Sequence, residues 1–290
     1  MRYLSKNHRH PVASSCRLMG LSRSSYYYIQ EKEPERHKRQ EELESEIQRI
    51  FNESKGRYGS PRVFAELIDL GWKLGENRVT EVMKNLGLKA SQKSSYRPRT
   101  TVSDLSSKFS ERIFKSNETE TSRENEVWCS DLTYLPLPYA AGLFMYLVTC
   151  IDIHTREIKS WSLSRDMGAE HTHAAIAGAI KNSEIEELKQ LVFHSDRGSQ
   201  YTSKKTRGLI ETMEFTQSMS RKGNCYDNAF AESFFATLKK ELDWSHCKSD
   251  EQMEVEIEEY INWYNKKRRH SSLGYLSPVN YKKLELAKAA

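Results

Sequence analysis

Apolar residues from Val127 onward fall into short β-rich runs. The segments VWCSDLTYLPL, LFMYLVTCIDIH and REIKSWSLS, joined by short connections, predict an antiparallel meander of three strands. Further on, the pattern predicts a helix at residues 171–181, a buried strand in LVFH, a helix near residues 203–213, a short strand in FTQSMS and another helix around Glu232. Three strands followed by alternating helices and strands indicate an α/β fold for this half.

The first half of the chain has helical spacing instead. Three short helices are predicted, with Pro61 in the first turn of the second and Asn77 capping the third. Their apolar residues are Leu43, Ile47, Ile50, Phe51, Val63, Phe64, Leu67, Ile68, Val79, Val82, Met83 and Leu86. Such an all-α arrangement is typical of a helix-turn-helix or winged-helix DNA-binding module.

The start of the chain has a similar pattern on a smaller scale. At residues 12–29, a short apolar run, a break at Gly20 and a capping Ser22 predict two helices around a turn. This pattern fits a small helix-turn-helix and an ordinary helical hairpin equally well. The charged stretch at residues 31–39, which contains Pro34, is interpreted as a linker or a first helical turn.

These patterns divide the chain into four parts. Residues 1–35 form an N-terminal helical segment of helix-turn-helix type, and residues 38–92 form a helix-turn-helix DNA-binding domain. Residues 93–123 have few large apolar side chains and are interpreted as a basic linker. Residues 124–285 form the α/β core with a C-terminal helix. A chain of 290 residues is long enough for two such domains to bury cores of their own.

Charge is unevenly distributed along the chain, whose formal net charge is +5. Residues 1–127 hold 24 Lys and Arg against 18 Asp and Glu, whereas residues 128–290 hold 21 against 22. Because neutralisation of phosphates dominates non-specific affinity for nucleic acid, the first half is expected to grip DNA.

Residues 82–103 contain basic side chains and no acid. The basic residues are Lys84, Lys89, Lys93, Arg97 and Arg99. Such a run is typical of a solvated, flexible arm. Directly after a helix-turn-helix, it fits equally well a strand that follows a DNA groove or backbone, with Lys93, Arg97 and Arg99 in contact with DNA.

Cysteine usage and hydropathy bear on the compartment. Five cysteines are scattered, odd in number and never in C-x-x-C spacing, which argues against a disulfide framework and a zinc ribbon. A reducing cytoplasm is therefore expected. Since the chain has no run of 18 apolar residues, neither a membrane segment nor a secretion signal is expected.

Three acidic residues stand out by their settings. Asp131 lies in the strand-like segment WCSDLTYL, Asp196 follows the apolar run LVF, and Glu232 lies in a helical pattern with 35 residues between it and Asp196. Taken singly, Asp131 and Asp196 each fit an ordinary strand-end acid that caps a turn, and Glu232 fits an exposed acid of a helix. Together they predict an oxygen-rich site for a hard cation such as Mg²⁺, which two-ion phosphoryl transfer on nucleic acid requires.

Polar residues near these acids are candidate DNA contacts. Asn228 and Lys239 share a helix face with Glu232, and Lys239 fits either a contact with a DNA phosphate or a solvated surface position. The loop at residues 218–227 is polar and basic, so it fits a mobile surface loop as well as a DNA backbone contact. Its candidate donors are Arg221, Lys222 and Asn224.

Other polar residues carry weaker signals. Asp152 fits the turn after its strand. His194 faces the same way as Asp196 and contacts either the metal shell, DNA or the backbone. The run KKRRH at residues 266–270 ends a helix and is interpreted as a phosphate contact. His171 and His173 open a helix without a carboxylate partner nearby in the sequence, so both are interpreted as structural.

Several longer sequence motifs resemble those of a known protein family. W-x-x-D-x-T at residues 128–133, H-S-D-R-G-S-Q-Y at residues 194–201 and the D-35-E spacing followed by a lysine resemble the catalytic core of the DDE transposase and retroviral integrase superfamily. The segments SRKGNCYDNAFAESFFATLK and YNKKRRHSSLGYLSPVNY resemble the OrfB product of IS3-family insertion sequences. RYGSPR and NRVTEVMKNLGL resemble the helix-turn-helix segment of the same family.

This resemblance implies a ribonuclease-H-like α/β core preceded by an all-α helix-turn-helix region. In that fold the first and fourth strands lie side by side, which brings Asp131 close to Asp196, an adjacency that periodicity alone does not establish. The resemblance also implies that Asp131, Asp196 and Glu232 hold two Mg²⁺ ions, with Mn²⁺ as a substitute. Lys239 is implied to contact a phosphate next to the scissile bond.

The implied activity is cleavage of a phosphodiester at the ends of an insertion sequence and joining of the freed 3′-hydroxyl to another strand. The implied partners are the terminal inverted repeats, target DNA, an OrfA-like protein or fused part, and further copies of the chain, at the nucleoid in a bacterial cytoplasm. Two alternatives stay open: a ribonuclease-H-like nuclease that cuts without joining, and a catalytically silent DNA-binding regulator of transposition.

Overall fold

The computed structural model describes residues 11–90, 114, 121–188, 190–220 and 229–289. The chain divides into two compact units, Met1–Ser91 and Gln92–Ala290, and each is described by itself. Within the described ranges, no helix is long and apolar enough to cross a membrane.

The first unit begins with two helices around a turn, as predicted. Helix α1 spans Val12–Leu18 and helix α2 spans Arg23–Glu53. Gly20 has a φ of 66°, in the left-handed region that glycine adopts most easily. Ser22 caps α2, because its side chain accepts a hydrogen bond from the backbone N–H of Ser25 at 3.0 Å.

Helix α2 continues through the charged stretch that the sequence assigned to a linker. Pro34 lies inside the helix, so the interpretation of residues 31–39 as a linker or a first turn was wrong. An interior proline costs about 3 kcal/mol. The surrounding Glu, Lys, Arg and Gln residues are strong helix formers, and Lys32 pairs with Glu35 at 3.1 Å one turn away. These neighbours offset the missing backbone hydrogen bond.

The second half of α2 packs with two shorter helices. Helix α3 spans Ser60–Asp69, with proline in its first turn, and helix α4 spans Glu76–Asn85. The buried apolar side chains that join the three helices are Leu43, Ile47, Ile50, Val63, Leu67, Val79, Val82 and Met83. The predicted cap of α4 at Asn77 was wrong, because Gly75 holds the cap position. The three-helix arrangement itself is confirmed.

The second unit is built on a five-stranded sheet. Its strands are β1 (Val127–Pro136), β2 (Phe144–Asp152), β3 (Ile158–Ser164), β4 (Val192–Ser195) and β5 (Thr216–Met219). Their order across the sheet is β3-β2-β1-β4-β5. Strands β1, β2 and β3 pair antiparallel, whereas β4 pairs parallel to both β1 and β5. The predicted meander and the implied adjacency of the first and fourth strands are both confirmed.

Helices cover both faces of this sheet. They are α5 (Ala169–Lys181), α6 (Ser199–Thr202), α7 (Lys204–Thr212), α8 (Ala229–Glu241), α9 (Asp250–Lys266) and α10 (Pro278–Ala289), with short 3-10 turns at Ile185–Leu188 and Ser271–Leu273. Successive side chains of a strand point to opposite faces. Cys129 therefore lies in an apolar cluster with Leu238 of α8 and Ile257 of α9. Trp128 lies in a second cluster, with Ile176 of α5 and Ile210 of α7.

Phe114 belongs to the core of the second unit. Its side chain is buried, its backbone N–H donates to Ser218 Oγ at 2.9 Å, and its ring meets those of His194 and Phe230. The predicted linker at residues 93–123 therefore contains at least one anchored residue. Phe114 and the apolar residues before it, Phe109 and Ile113, form no clear periodic pattern, so the distant partners of Phe114 were not predictable.

Asp152 organises the turn between β2 and β3, as predicted. Its Oδ1 accepts hydrogen bonds from the N–H and the hydroxyl of Thr155, both at 2.7 Å, and its Oδ2 accepts from the N–H of Asn125 at 2.8 Å. The side chain is fully buried. These three donors account for an aspartate that ends a strand outside the candidate site.

Candidate active site

Two aspartates lie next to each other on the neighbouring, parallel-paired segments of β1 and β4. Ser130 of β1 lies opposite Ser195, the last residue of β4. Asp131 is the next residue of β1, and Asp196 directly follows β4. The N–H of Leu132 donates to Asp131 Oδ1 at 2.8 Å, and the N–H of Gly198 donates to Asp196 Oδ1 at 2.9 Å. The parallel pairing thus brings together two acids that are 65 positions apart in the sequence.

These two carboxylates raise each other's cost of ionisation. Burial raises the pKa of Asp131 well above its usual range, and the charges of Asp196 and Glu232 raise it further, against the N–H of Leu132 and the charge of Lys239. Burial also raises the pKa of Asp196, opposed by the N–H of Gly198. Because like charges are held together in a half-buried setting, a bound cation would stabilise this pair.

Glu232 lies in the first turn of α8, on the exposed side of the helix. The opposite side of α8 packs against β1 and β2 through Phe234 and Leu238, which orients the helix over the strand that carries Asp131. The charge of Glu232 contributes to the raised pKa of Asp131. The acid predicted from the helix therefore lies within electrostatic reach of the acid predicted from the strand.

The three acids do not form a closed set of ligands. In the part of the chain that the structure describes, no group of three or more His, Cys, Asp or Glu side chains is close enough together to hold one ion. Asp131 and Asp196 are neighbours, and Glu232 lies beside them.

Lys239 turns toward the strand instead of extending into solvent. Its Nζ donates to Thr133 Oγ1 at 2.7 Å and lies 4.6 Å from the centroid of the Tyr134 ring. Burial lowers the pKa of Lys239, and the charge of Asp131 opposes that shift. The solvated position that the sequence left open is therefore excluded. Thr133 was not a candidate, although it stands two residues after Asp131 on the same strand face, a signal that could have identified it.

His194 is satisfied by two serines. Its ring nitrogens lie 3.0 Å from Ser218 Oγ and 3.1 Å from Ser220 Oγ. Arg197 also binds this region, because its Nε donates to the carbonyl of Ser220 at 2.8 Å. The buried histidine thus ties β4 to the end of β5 through two hydroxyl groups rather than reaching solvent.

Cys129 is no candidate nucleophile. The side chain is fully buried in the face that packs against α8. Burial raises the pKa of its thiol well above the usual range, and the nearby charge of Asp131 raises it further. Both effects disfavour the thiolate. The cysteines that the structure describes are all free, in line with the absence of a predicted disulfide framework.

Several predicted DNA contacts lie outside the described residues. They are Lys93, Arg97, Arg99, Arg221, Lys222, Asn224 and Asn228. Lys239 and the basic run at residues 266–270 fall within the described ranges. The others stay predictions.

The basic run at residues 266–270 is partly structural, which corrects its interpretation as a phosphate contact for Arg268 and His270, whereas Lys266 and Lys267 are exposed and stay predictions. Arg268 forms two hydrogen bonds with the carboxylate of Glu241, at 2.7 and 2.8 Å, and each of the two side chains is 6% exposed. His270 is buried against Arg268 and Tyr264. The partner of Arg268 is 27 positions away, so helical spacing gave no sign of it.

His171 has a carboxylate partner five residues before it in the sequence, contrary to the prediction. Its Nε2 lies 2.7 Å from Ser164 Oγ and 3.3 Å from a carboxylate oxygen of Asp166. This group links the end of β3 to the start of α5. His171 therefore keeps its structural interpretation, with Ser164 and Asp166 as its partners.

Models of known families match both halves of the chain. An integrase core domain matches residues 121–225, and a second integrase core model matches residues 213–278. An HTH-like domain matches residues 38–96. The sheet order, the paired aspartates and these matches together define a member of the integrase and transposase superfamily with a ribonuclease-H-like core.

Relatives narrow the class further. A 31 kDa protein of insertion element IS600 from Shigella sonnei is 36% identical over 92% of this chain and 97% of its own length. The IS904 transposase of Lactococcus lactis is 35% identical, over 83% and 93%, and the transposase InsF of IS3A from Escherichia coli is 31% identical, over 95% of each. The chain therefore belongs to the IS3-family insertion-sequence transposases, and its function class is that of a DNA transposase.

Proposed function

We propose that this chain is a DDE polynucleotidyl transferase, with Asp131, Asp196 and Glu232 holding two Mg²⁺ ions. The observation that carries the proposal is the placement of Asp131 and Asp196 side by side on parallel strands, where each has a raised pKa. A pair of half-buried acids in this state lowers stability unless a cation compensates it. Family membership supports the same assignment.

The donor set fits a hard divalent ion. All three side chains offer carboxylate oxygens, which Mg²⁺ prefers, and Mn²⁺ accepts the same ligands. Glu232, exposed in the first turn of α8, is the third member of the proposed set. The attraction of a cation for each carboxylate would then replace the repulsion among the three.

The chemistry follows from that arrangement. When bound, the ions activate the attacking oxygen and stabilise the leaving oxygen. Water is the nucleophile for cleavage at the element end, and the freed 3′-hydroxyl is the nucleophile for joining. Asp131, Asp196 and Glu232 would hold the ions and thereby orient the nucleophile, and Lys239 would contact a DNA phosphate beside them. The chain itself supplies no nucleophile, which agrees with the buried, protonated state of Cys129.

DNA binding is assigned to both units. We infer that the HTH-like domain grips the terminal inverted repeats, and that the residues at 93–123 connect it to the core. The further backbone contacts proposed are Lys93, Arg97, Arg99, Arg221, Lys222, Asn224 and Asn228. Assembly with an OrfA-like partner and with further copies of the chain, at the nucleoid in the cytoplasm, belongs to the same proposal.

A strand-transfer assay tests this function. The chain is incubated with a labelled duplex of an element end, intact or already cleaved at its 3′-end, with Mg²⁺ or EDTA, and with or without an OrfA-like partner. Mg²⁺-dependent cleavage and joined product are expected. Cleavage without joining would favour the nuclease alternative. DNA binding without any chemistry, in the presence of the partner, would favour the silent regulator.

A further inference from the structure

The ammonium of Lys239 is held by two consecutive residues of β1. Thr133 accepts its hydrogen bond at 2.7 Å, and the Tyr134 ring lies under it with the centroid 4.6 Å away. They are the second and third residues after Asp131 along the strand. A lysine on a helix usually extends its flexible stem toward water, so this docked position needs the two contacts that hold it.

Thr133 is suited to fix the direction of the lysine. Its side chain is buried, with 6% of the residue exposed, and a β-branched side chain on a strand has few rotamers. Thr133 and Asp131 also project from the same face of β1, because strand side chains alternate. The docked ammonium therefore lies on the side of the acidic site, and the charge of Asp131 attracts it.

Docking at Thr133 is compatible with a second partner. An ammonium carries three N–H donors, and the threonine hydroxyl takes one of them. A phosphate oxygen that approaches the acidic site can take another without displacing the lysine. Because the side chain is already ordered, the loss of rotamer freedom that normally opposes such a contact has occurred before DNA binds.

We propose that Thr133 and Tyr134 are positioning residues that hold Lys239 for a DNA phosphate beside the reacting bond. This inference rests on the proposed function. The threonine of the W-x-x-D-x-T segment, Thr133, accepts a hydrogen bond from Lys239, two turns after Glu232 on α8. Thr133 acts through Lys239 and touches neither the DNA nor the ions.

The test uses the full chain and a labelled element-end duplex, with DNA affinity measured over a range of salt concentrations. Thr133→Val removes the acceptor at nearly constant shape, and Thr133→Ser keeps it. Loss of one phosphate contact is expected to lower affinity about three- to tenfold and to reduce the salt slope by about one. Thr133→Val and Lys239→Ala should show this loss, whereas Thr133→Ser should retain most of the wild-type slope.

A double variant separates positioning from general damage. Thr133→Val is expected to have no further effect on affinity in the Lys239→Ala background, because the threonine acts only through the lysine. Tyr134→Leu, at a less buried position, should give a smaller loss of the same kind. In turnover, the KM for DNA should rise more than kcat falls, since the contact exists before and during reaction.

Three outcomes would overturn the proposal. They are an unchanged salt slope in Lys239→Ala, an unchanged slope in Thr133→Val when Lys239→Ala loses one unit, and equal additional damage by Thr133→Val in both backgrounds. The binding assay needs no turnover, so it remains decisive for a chain that does not cleave. Failure of the proposed function would show differently, as cleavage and joining that survive Asp131→Asn or EDTA.

Discussion

Helix α8 carries two glutamates, nine positions apart, with opposite surroundings. Glu241, at its end, meets Arg268 in a two-bond ion pair and also accepts a hydrogen bond from Tyr260 at 3.0 Å. Glu232, in its first turn, lies beside Asp131, whose pKa its charge helps to raise. One end of the helix compensates its carboxylate within the protein, and the other adds its carboxylate to a set of like charges. Pairing with Arg268 and Tyr260 therefore marks the structural end of α8, and closeness to Asp131 marks the end proposed to be functional.

The largest expected effect comes from neutralising the functional end. Asp131→Asn should lower cleavage and joining by roughly a thousandfold or more, because under the proposed function it removes a carboxylate oxygen that would bind the ions. The measurement is the rate of Mg²⁺-dependent strand transfer with a pre-cleaved end. Asp166→Asn, at an exposed aspartate outside the site, is the matched control and should keep wild-type activity. An Asp131→Asn variant as active as that control would contradict the comparison.

Removing the ion pair between Glu241 and Arg268 should lower the stability of the fold without affecting ion binding. Arg268→Ala leaves Glu241 buried without its ionic partner, and removal of one member of a buried pair costs about 3–5 kcal/mol. Urea denaturation monitored by circular dichroism measures the loss. Replacing both residues, as Glu241→Leu with Arg268→Met, should cost less than the single change, since no buried charge remains. A single change that costs under about 1 kcal/mol, the range of surface pairs, would show that the pair does not stabilise α8.

The acidic site should also give stability an unusual pH dependence. The folded pKa of Asp131 is raised, so the penalty is absent below the unfolded pKa of about 3.9 and develops as pH rises from there toward the folded pKa. In EDTA, Asp131→Asn should therefore become increasingly more stable than the wild type between acidic and neutral pH. Mg²⁺ should reduce that difference at neutral pH. Unfolding free energies of the two proteins, measured across pH with and without Mg²⁺, provide the check.

The smallest effect is expected where both charges are exposed. Lys288 pairs with Glu285 at 2.8 Å on α10, with side chains 62% and 33% exposed. Lys288→Ala should change the free energy of unfolding by no more than about 0.5 kcal/mol, because solvent screens surface pairs. The same denaturation experiment measures it. A loss approaching that of Arg268→Ala would mean that burial does not distinguish the two pairs.

Local patterns predicted much of this molecule. The alternation in WCSDLTYL placed a strand with Asp131 on it, and the LVFH run placed the strand that ends next to Asp196. The helix around Glu232 followed from its apolar face. These elements are decided by neighbouring residues, so a pattern in one window is sufficient. The adjacency of β1 and β4 came only from resemblance, since pairing between distant strands leaves no periodic trace.

Contacts between distant residues explain what the sequence missed. Lys239 and Thr133 are 106 positions apart, so the lysine looked like an ordinary surface residue of its helix. Arg268 looked like part of a phosphate-binding cluster because its partner, Glu241, lies on another helix. Pro34 misled for a different reason: the propensity of its neighbours outweighs the single backbone hydrogen bond that proline removes.

The central claim is that Asp131, Asp196 and Glu232 share divalent cations beside DNA. X-ray diffraction from crystals of the chain with a processed element-end duplex and Mn²⁺, collected at a wavelength where manganese scatters anomalously, tests it most directly. The account predicts anomalous peaks between the carboxylates of Asp131 and Asp196, with Glu232 turned in as a further ligand. Ordered carboxylates without such peaks, or manganese held by other side chains, would contradict it.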